Sequence, residues 1–388
     1  MYKILTLNKI SKNGLERLPK DSYEILSECD APDGILLRSF NMHEMELPDT
    51  LKGVARAGAG VNNIPLDKCS EKGVVVFNTP GANANAVKEL VIAGLLLSSR
   101  KIVDGINWVQ SLKDEKDVAK LVEKGKSQFV GPELLGKKIG VVGLGAIGVL
   151  VANAANSLGM SVMGYDPFIS VDAAWRLSRG VHKAPTLDAI IAECDFITLH
   201  VPLNDETKYM INEETIAKMK NGVRILNFSR AKLVNDDAIK AALAQGKVAV
   251  YVTDFPDEGL LGLGNVITIP HLGASTPESE DNCAQMAALQ LKNYLEFGII
   301  ENSVNLPTCV MPYVGRRRIC VIHRNIPNVV GPLTTAVAKR GINIDNMLNK
   351  SKGDYAYTTI DIDDGDIEHV KEDLVRIEGV ISVRIILP

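Results

Sequence analysis

The chain has 388 residues, with 43 Lys and Arg against 47 Asp and Glu and a formal net charge of −4. At about 150 residues per domain this length predicts two to three domains, and the near-neutral balance supplies no positive field to gather a phosphate backbone, which excludes nucleic acid as a first partner. Hydrophobic residues at 46% and charged residues at 23% are ordinary for chains with buried cores and exclude a disordered or collagen-like chain.

The first hundred residues alternate short apolar runs, KILTL, YEIL, GILLRSF, GVARAG and GVVVFNTP, with helical stretches. Such runs predict strands of a parallel sheet covered on both faces. The opening MYKILTLNKISKNG is too short in apolar residues for a secretory leader and no 18-residue apolar run follows, so neither leader nor membrane span is predicted. Six scattered cysteines (Cys29, Cys69, Cys194, Cys283, Cys309, Cys320) form no C-x-x-C pair; the expectation is no metal, no disulfide framework and a cytoplasmic location.

A second α/β pattern begins near Lys137 with KIGVVGLG, SVMGYD, FITLHVP, VRILNFS, VAVYVTD and NVITIPH, and predicts a doubly wound sheet. Gly143-Leu144-Gly145-Ala146-Ile147-Gly148 has the form G-x-G-x-x-G between an apolar strand and a helical stretch, and Asp166 closes the next strand 18 residues beyond Gly148. In that context the glycines allow close backbone approach to a pyrophosphate and the helix start offers it free N–H groups. Asp166 would accept from ribose hydroxyls and repel a 2′-phosphate, predicting NAD over NADP.

Three further residues follow apolar strands. His271 ends NVITIPH, and imidazole titrates near neutrality, which suits a group that takes and returns a proton. Glu258, in DFPDEG, would orient that imidazole, with Asp257 as the nearest rival; Arg230, in ILNFSR, would grip a carboxylate with its planar fork. A base, its partner and a fixed cation beside a dinucleotide motif predict hydride transfer on a small hydroxy acid. His43, His182, His200 and His369 read as structural.

After His271, ESEDNCAQMAALQLKNYLEFG predicts one long helix ended by Gly298. The Pro-marked stretch 305–317 reads as a linker. From Ile319 onward the pattern is β-α-β-β-α-β, the ferredoxin-like order.

The motifs RAGAGVNNI, FNTPGANANAVKEL, GLGAIG, NFSR, FPDE and IPHLGAST together resemble the D-isomer-specific 2-hydroxyacid dehydrogenases over essentially the full chain. The resemblance implies a Rossmann-type NAD domain at 98–271, inserted in a flavodoxin-like substrate domain formed by 1–97 and 272–304. It makes Arg230, Glu258 and His271 catalytic. Cofactor contacts would fall on Gly143, Gly145, Ala146, Ile147, Asp166, Val201, Pro202, Phe228, Ser229, Arg230, His271, Gly273 and Ala274. Substrate contacts would fall on Arg56, Gly58, Asn78 and Lys126, with Arg56 placed for a substrate phosphate and Lys126 reaching across a subunit boundary. The family's Asp two residues before the FxxE phenylalanine is replaced here by Thr253, and the acid is Asp254. A one-residue shift along a strand turns a side chain to the other face unless a bulge intervenes, so which of the two contacts the nicotinamide stays open.

Residues 318–388 resemble an ACT domain, with His323-Arg324-Asn325-Ile326-Pro327 and Asn343 in GINID. In serine-regulated relatives the matching positions of His323, Asn325 and Asn343 hold L-serine between paired modules, which implies an amino-acid effector and a homo-oligomer. Asn328 stands where relatives carry glycine. Two rival readings are a reductase of another small 2-oxo acid, such as glyoxylate or hydroxypyruvate, and a catalytically silent NAD or amino-acid sensor.

Overall fold

The computed structural model describes all 388 residues and contains two units, Met1–Ala82 with Pro277–Pro388, and Asn83–Thr276. In the first, β1 (Tyr2–Leu7), α1 (Lys12–Leu15), β2 (Tyr23–Leu26), β3 (Gly34–Leu37), β4 (Gly53–Arg56), α2 (Leu66–Glu71) and β5 (Val75–Phe77) build a parallel sheet in the order β2-β1-β3-β4-β5. All four residues of β3 and all three of β5 are buried, as the continuous apolar runs predict for a sheet covered on both faces.

The second unit comprises α3 (Ala84–Arg100), α4 (Ile102–Ser111), α5 (Val118–Gly125), β6 (Lys138–Val142), α6 (Ala146–Ser157), β7 (Ser161–Tyr165), α7 (Val171–Trp175), β8 (Val181–Lys183), α8 (Leu187–Glu193), β9 (Phe196–Leu199), α9 (Glu213–Lys218), β10 (Val223–Asn227), α10 (Asp236–Ala244), β11 (Val248–Thr253) and β12 (Val266–Thr268). Its seven strands run parallel in the order β12-β11-β10-β9-β6-β7-β8, a doubly wound Rossmann-type arrangement. The division between units falls at 82/83 and 276/277, whereas sequence places it at 97/98 and 271/272. The reason is α3: it runs unbroken through residue 97, and its Val87, Val91 and Leu95 share the core of the second unit with Leu226 and Phe228.

In the first unit, α11 (Pro277–Phe297) lays Cys283, Ala284, Ala287, Ala288, Leu291 and Leu295 into the core, a set that recurs with the helical period and so shares one face. Beyond it, β13 (Arg317–Arg324), α12 (Val330–Lys339), β14 (Ile344–Lys352), β15 (Tyr355–Ile362), α13 (Ile367–Val375) and β16 (Val380–Ile386) give an antiparallel sheet in the order β14-β15-β13-β16, the ferredoxin-like topology. One face packs Ile319, Val321 and Ile360 against Leu333, Val337, Val370 and Leu374 of the two helices. The other face packs Cys320, Ile322, Tyr357 and Ile386 into the same core as Tyr294, Leu295 and Ile300.

The stretch 305–317 is therefore not a loose linker. Leu306 and Cys309 are buried, and Ile300 and Cys309 exchange backbone hydrogen bonds of 3.0 and 2.8 Å. Asn328 sits at φ +62, the left-handed region where asparagine is the usual substitute for glycine. No helix is long and apolar enough to cross a membrane.

Candidate active site

Parallel strands bring their C-terminal ends to one edge of the seven-stranded sheet. Gly143 follows β6, Asp166 follows β7, Val201 and Pro202 follow β9, Phe228 to Arg230 follow β10, Asp254 follows β11, and His271 lies three residues past β12. The chain winds from β6 through β7 to β8 on one side and from β9 outward on the other, so the switch point lies between β6 and β9, where such sheets open a crevice.

The glycine motif occupies that point. Gly143 adopts φ +91, and a Cβ there would lie 2.6 Å from the His200 carbonyl oxygen, so glycine is required for the turn. Gly145 caps α6 without a side-chain hydrogen bond, and a Cβ on it would meet nothing within 4 Å. The first N–H groups of α6, from Ala146 and Ile147 onward, thus face an open cradle at the positive end of a 12-residue helix, which fits a pyrophosphate. Asp166 is held beside it: one carboxylate oxygen accepts from Leu144 N at 2.8 Å and the other from Phe168 N at 2.9 Å, leaving lone pairs for ribose hydroxyls. His200 is structural. Burial holds its imidazole down at about 4, so it is neutral at pH 7, with Nε2 3.0 Å from Thr198 Oγ1.

At the other end of the edge, fully buried Asn227 shapes the loop after β10. Its Oδ1 accepts from Ser229 N and Arg230 N at 3.2 and 3.4 Å, and its Nδ2 donates to Arg230 O at 2.9 Å. Ser229 Oγ donates to Val201 O at 2.7 Å, tying this loop to the one after β9. Sequence reading missed Asn227, although its place as the last residue of an apolar strand was a signal. Arg230 is exposed, and its Nη1 donates to Ser229 O at 2.7 Å.

The exposed His271 ring packs edge-on against Phe255, centroids 4.9 Å apart. Its expected partner does not meet it. Glu258 is exposed in the turn that follows β11 and forms no hydrogen bond with His271. The acid within electrostatic reach is Asp254, 1% exposed, with neither carboxyl oxygen hydrogen-bonded. Burial raises its pKa, against the opposing pull of His271 and Arg230. Thr253 is the last residue of β11, buried, with Oγ1 accepting from Phe255 N at 3.1 Å, so the strand absorbs Thr253 and the carboxyl belongs to the residue beyond it. Gly273 lies beside that carboxyl: a Cβ there would be 3.8 Å from Asp254 Oδ2. Ala274 follows it, half-buried.

Arg56, Gly58 and Asn78 meet within the first unit. Arg56 ends β4 and its Nε donates to Arg38 O at 2.9 Å; its guanidinium lies against Gly58, and Asn78 Nδ2 donates to Ala59 O at 2.6 Å. Lys126 belongs to the second unit, exposed and ion-paired with Glu123 at 2.5 Å.

In the C-terminal module His323 is buried, Nε2 2.9 Å from Thr358 Oγ1 and Nδ1 2.8 Å from Arg324 O, while Asn325 Nδ2 donates to Gly353 O at 2.9 Å. Asn343 is not with them. It precedes Ile344, which pairs with Ile362, whereas His323 pairs with Ala356, so about 20 Å of strand separates the two ends.

Residues 92–273 match the family described as D-isomer specific 2-hydroxyacid dehydrogenase, NAD binding domain. Through this segment the chain is similar to the D-isomer-specific 2-hydroxyacid dehydrogenases. Among curated relatives, the D-3-phosphoglycerate dehydrogenase of Methanocaldococcus jannaschii is 36% identical over 302 residues, covering 76% of this chain and 55% of that protein. The Bacillus subtilis enzyme of the same name is 34% identical over 325 residues, 79% of this chain and 59% of its own length. The chain thus spans little more than half the length of these relatives. A crystal structure of NAD+-bound 3-phosphoglycerate dehydrogenase from Entamoeba histolytica superposes with a TM-score of 0.61 and 26% identity, over 78% of this chain and 98% of that one.

Proposed function

We propose that the chain is an NAD-dependent dehydrogenase that oxidises D-3-phosphoglycerate to 3-phosphohydroxypyruvate, the entry to a phosphorylated route to serine. The observation that carries this reading is the single sheet edge that holds the Gly143–Gly148 cradle, Asp166, Arg230 and His271. NAD, when bound, accepts the hydride from the carbon that bears the hydroxyl.

The protein's own part is binding and proton handling. Arg230 grips the substrate carboxylate with the guanidinium donors that Ser229 O leaves free. His271 takes the hydroxyl proton onto its imidazole as the carbonyl forms. Glu258 stabilises the protonated ring, a contact its exposed side chain leaves to be made when the ring takes up the proton. Asp254 contacts the nicotinamide, in keeping with a buried carboxyl that has both oxygens free. Arg56, with Gly58 and Asn78 around it, receives the substrate phosphate, and Lys126 assists from a second copy.

A homo-oligomer in the cytoplasm, with L-serine as effector, completes the reading. Helices α4 and α5 contain no buried residue and leave Ile102, Ile106 and Val109 exposed, an apolar face suited to a second copy. Because His323 and Asn325 stand at the opposite end of the sheet from Asn343, a serine touching all three requires the Asn343 of another module.

The deciding experiment follows NADH formation from D-3-phosphoglycerate and NAD, with and without millimolar L-serine. Turnover suppressed by serine supports both parts. Turnover indifferent to serine removes the effector, and NAD binding without turnover overturns the substrate and favours another 2-hydroxy acid.

A further inference from the structure

Helix α11 buries one face in the core of the first unit, and another of its faces lines a cavity of about 510 Å³. Asn282, Met286, Gln290 and Asn293 stand at i, i+4, i+8 and i+11, so the helical period gathers all four along that side. Gly81–Ala82 and Glu301–Asn302 supply the rest of the wall. These two segments are held together from below: Phe77 and Ser303 form an antiparallel bridge, Val304 N donates to Val76 O at 2.9 Å, and Asn78 N donates to Asn302 O at 3.4 Å. Every lining residue belongs to the first unit.

Gln290 sets this cavity apart from an ordinary surface hollow. It is 6% exposed, and neither its Oε1 nor its Nε2 has a hydrogen-bond partner. A carboxamide withdrawn from water with both ends unpaired carries a free-energy penalty that a bound group able to accept and donate would relieve. Asn282, Asn293 and Asn302 add three carboxamides with no side-chain hydrogen bond, while Gln285, which also lines the cavity, accepts from Arg17 at 2.6 Å.

The chemistry of the lining selects a ligand. No lysine, arginine or histidine lines the cavity, and its one carboxylate, Glu301, is exposed and forms no ion pair. An anion there would meet like charge with nothing to neutralise it, whereas a cation would be attracted. A carboxamide offers a donor and an acceptor side by side, which matches a hydroxyl, itself both donor and acceptor. Met286 gives the carbon body of such a molecule an apolar surface to rest on.

We propose that this cavity is a binding site for a small organic cation that bears hydroxyl groups, an amino sugar or amino alcohol, with Gln290 holding hydroxyls and Glu301 the ammonium. The site is separate from the dehydrogenase reading, whose cofactor and substrate carry phosphates, and neither depends on the other.

Methionine-methyl NMR on the full chain tests the site, with the Met286 signal identified by its loss in Met286→Leu. The probes are glucosamine, glucose and gluconate, alike in size and different in charge, at mildly acidic pH where the amine is protonated. Glucosamine at millimolar concentration is expected to shift the Met286 signal saturably, glucose to shift it more weakly and gluconate to leave it in place. Gln290→Leu should weaken glucosamine about tenfold, the loss of one good hydrogen bond, without lowering the melting temperature, because the parent carboxamide has no partner to lose. Glu301→Gln, at an exposed position, should bring the affinity for glucosamine down to that for glucose. A Met286 signal that none of the probes moves, or that all three move alike, overturns the proposal, as does undiminished glucosamine binding in Gln290→Leu.

Discussion

The carboxyl of Asp254 is buried within electrostatic reach of the His271 ring, yet neither of its oxygens holds a hydrogen bond. Burial without partners disfavours the charged form, so the folded pKa stands above that of the unfolded chain. The folded state then binds this proton more tightly, and stability falls as pH rises from the unfolded value near 3.9 through the folded one. Asp254→Asn removes that pH-dependent penalty. Its melting temperature is expected to exceed that of the parent at pH 8, with the gain shrinking towards pH 4. Thermal unfolding at a series of pH values checks this, and an Asn variant less stable than the parent throughout refutes it.

Two glycines of the cradle separate folding from binding. A Cβ on Gly148 would collide with the Gly143 carbonyl oxygen, whereas one on Gly145 meets nothing. Gly148→Ala should therefore cost about 1–3 kcal/mol of stability. Gly145→Ala should leave stability within about 0.5 kcal/mol while intruding on the bound pyrophosphate and weakening NAD by roughly tenfold. Melting curves with and without NAD report both. A Gly145→Ala variant that keeps the parent's NAD-induced shift would place the pyrophosphate elsewhere.

Much of this arrangement was legible in the sequence because each device has a local cause. Apolar runs such as GILL and KIGVV mark strands covered on both faces, and G-x-G-x-x-G with Asp166 marks the switch-point turn. What the sequence hid depends on contacts far apart in the chain. Prolines at 307 and 312 suggest a linker, but the buried Arg318 that binds this stretch to Phe297 O and Asp361 pairs with residues 21 and 43 positions away. Glu258 is likewise beyond what motif spacing decides: the turn after β11 leaves its side chain exposed, without a hydrogen bond to His271. Helices α4 and α5 have an apolar stripe but no buried residue, and a periodic stripe in the sequence does not tell that nothing within the chain covers it.

That same exposed face predicts assembly. Ile106, 55% exposed on α4, would be buried by a second copy. Ile106→Lys is expected to shift the chain to a smaller species in sedimentation or light scattering, with its melting curve otherwise little changed. An unchanged mass would move the contact off α4.

His271 and Glu258 make different predictions because one is the proton acceptor and the other is unpaired in the structure. His271→Ala is expected to lower kcat by about 10²–10⁴ with NAD titration unaltered. Glu258→Gln should leave stability within about 0.5 kcal/mol, as an exposed side chain does, and lower kcat more at low pH, where the protonated ring needs its anion. A Glu258→Gln enzyme with the parent's pH profile would leave Asp254 as the acid that governs His271.

Arg56 tests the substrate. Its Nε donates to Arg38 O, which fixes the guanidinium beside Gly58. A hydrogen bond to a charged group contributes about 1.5–3 kcal/mol, so Arg56→Ala should raise KM for D-3-phosphoglycerate by roughly 10- to 100-fold. An unphosphorylated analogue such as glycerate offers no phosphate to lose and should change little. Because the variant also frees Arg38 O, Arg56→Lys serves as control: it keeps the charge but not the fork, and should fall between the two. Equal losses for both substrates would mean that Arg56 shapes the loop and that the phosphate, and with it the choice of D-3-phosphoglycerate, is recognised by other residues or not at all.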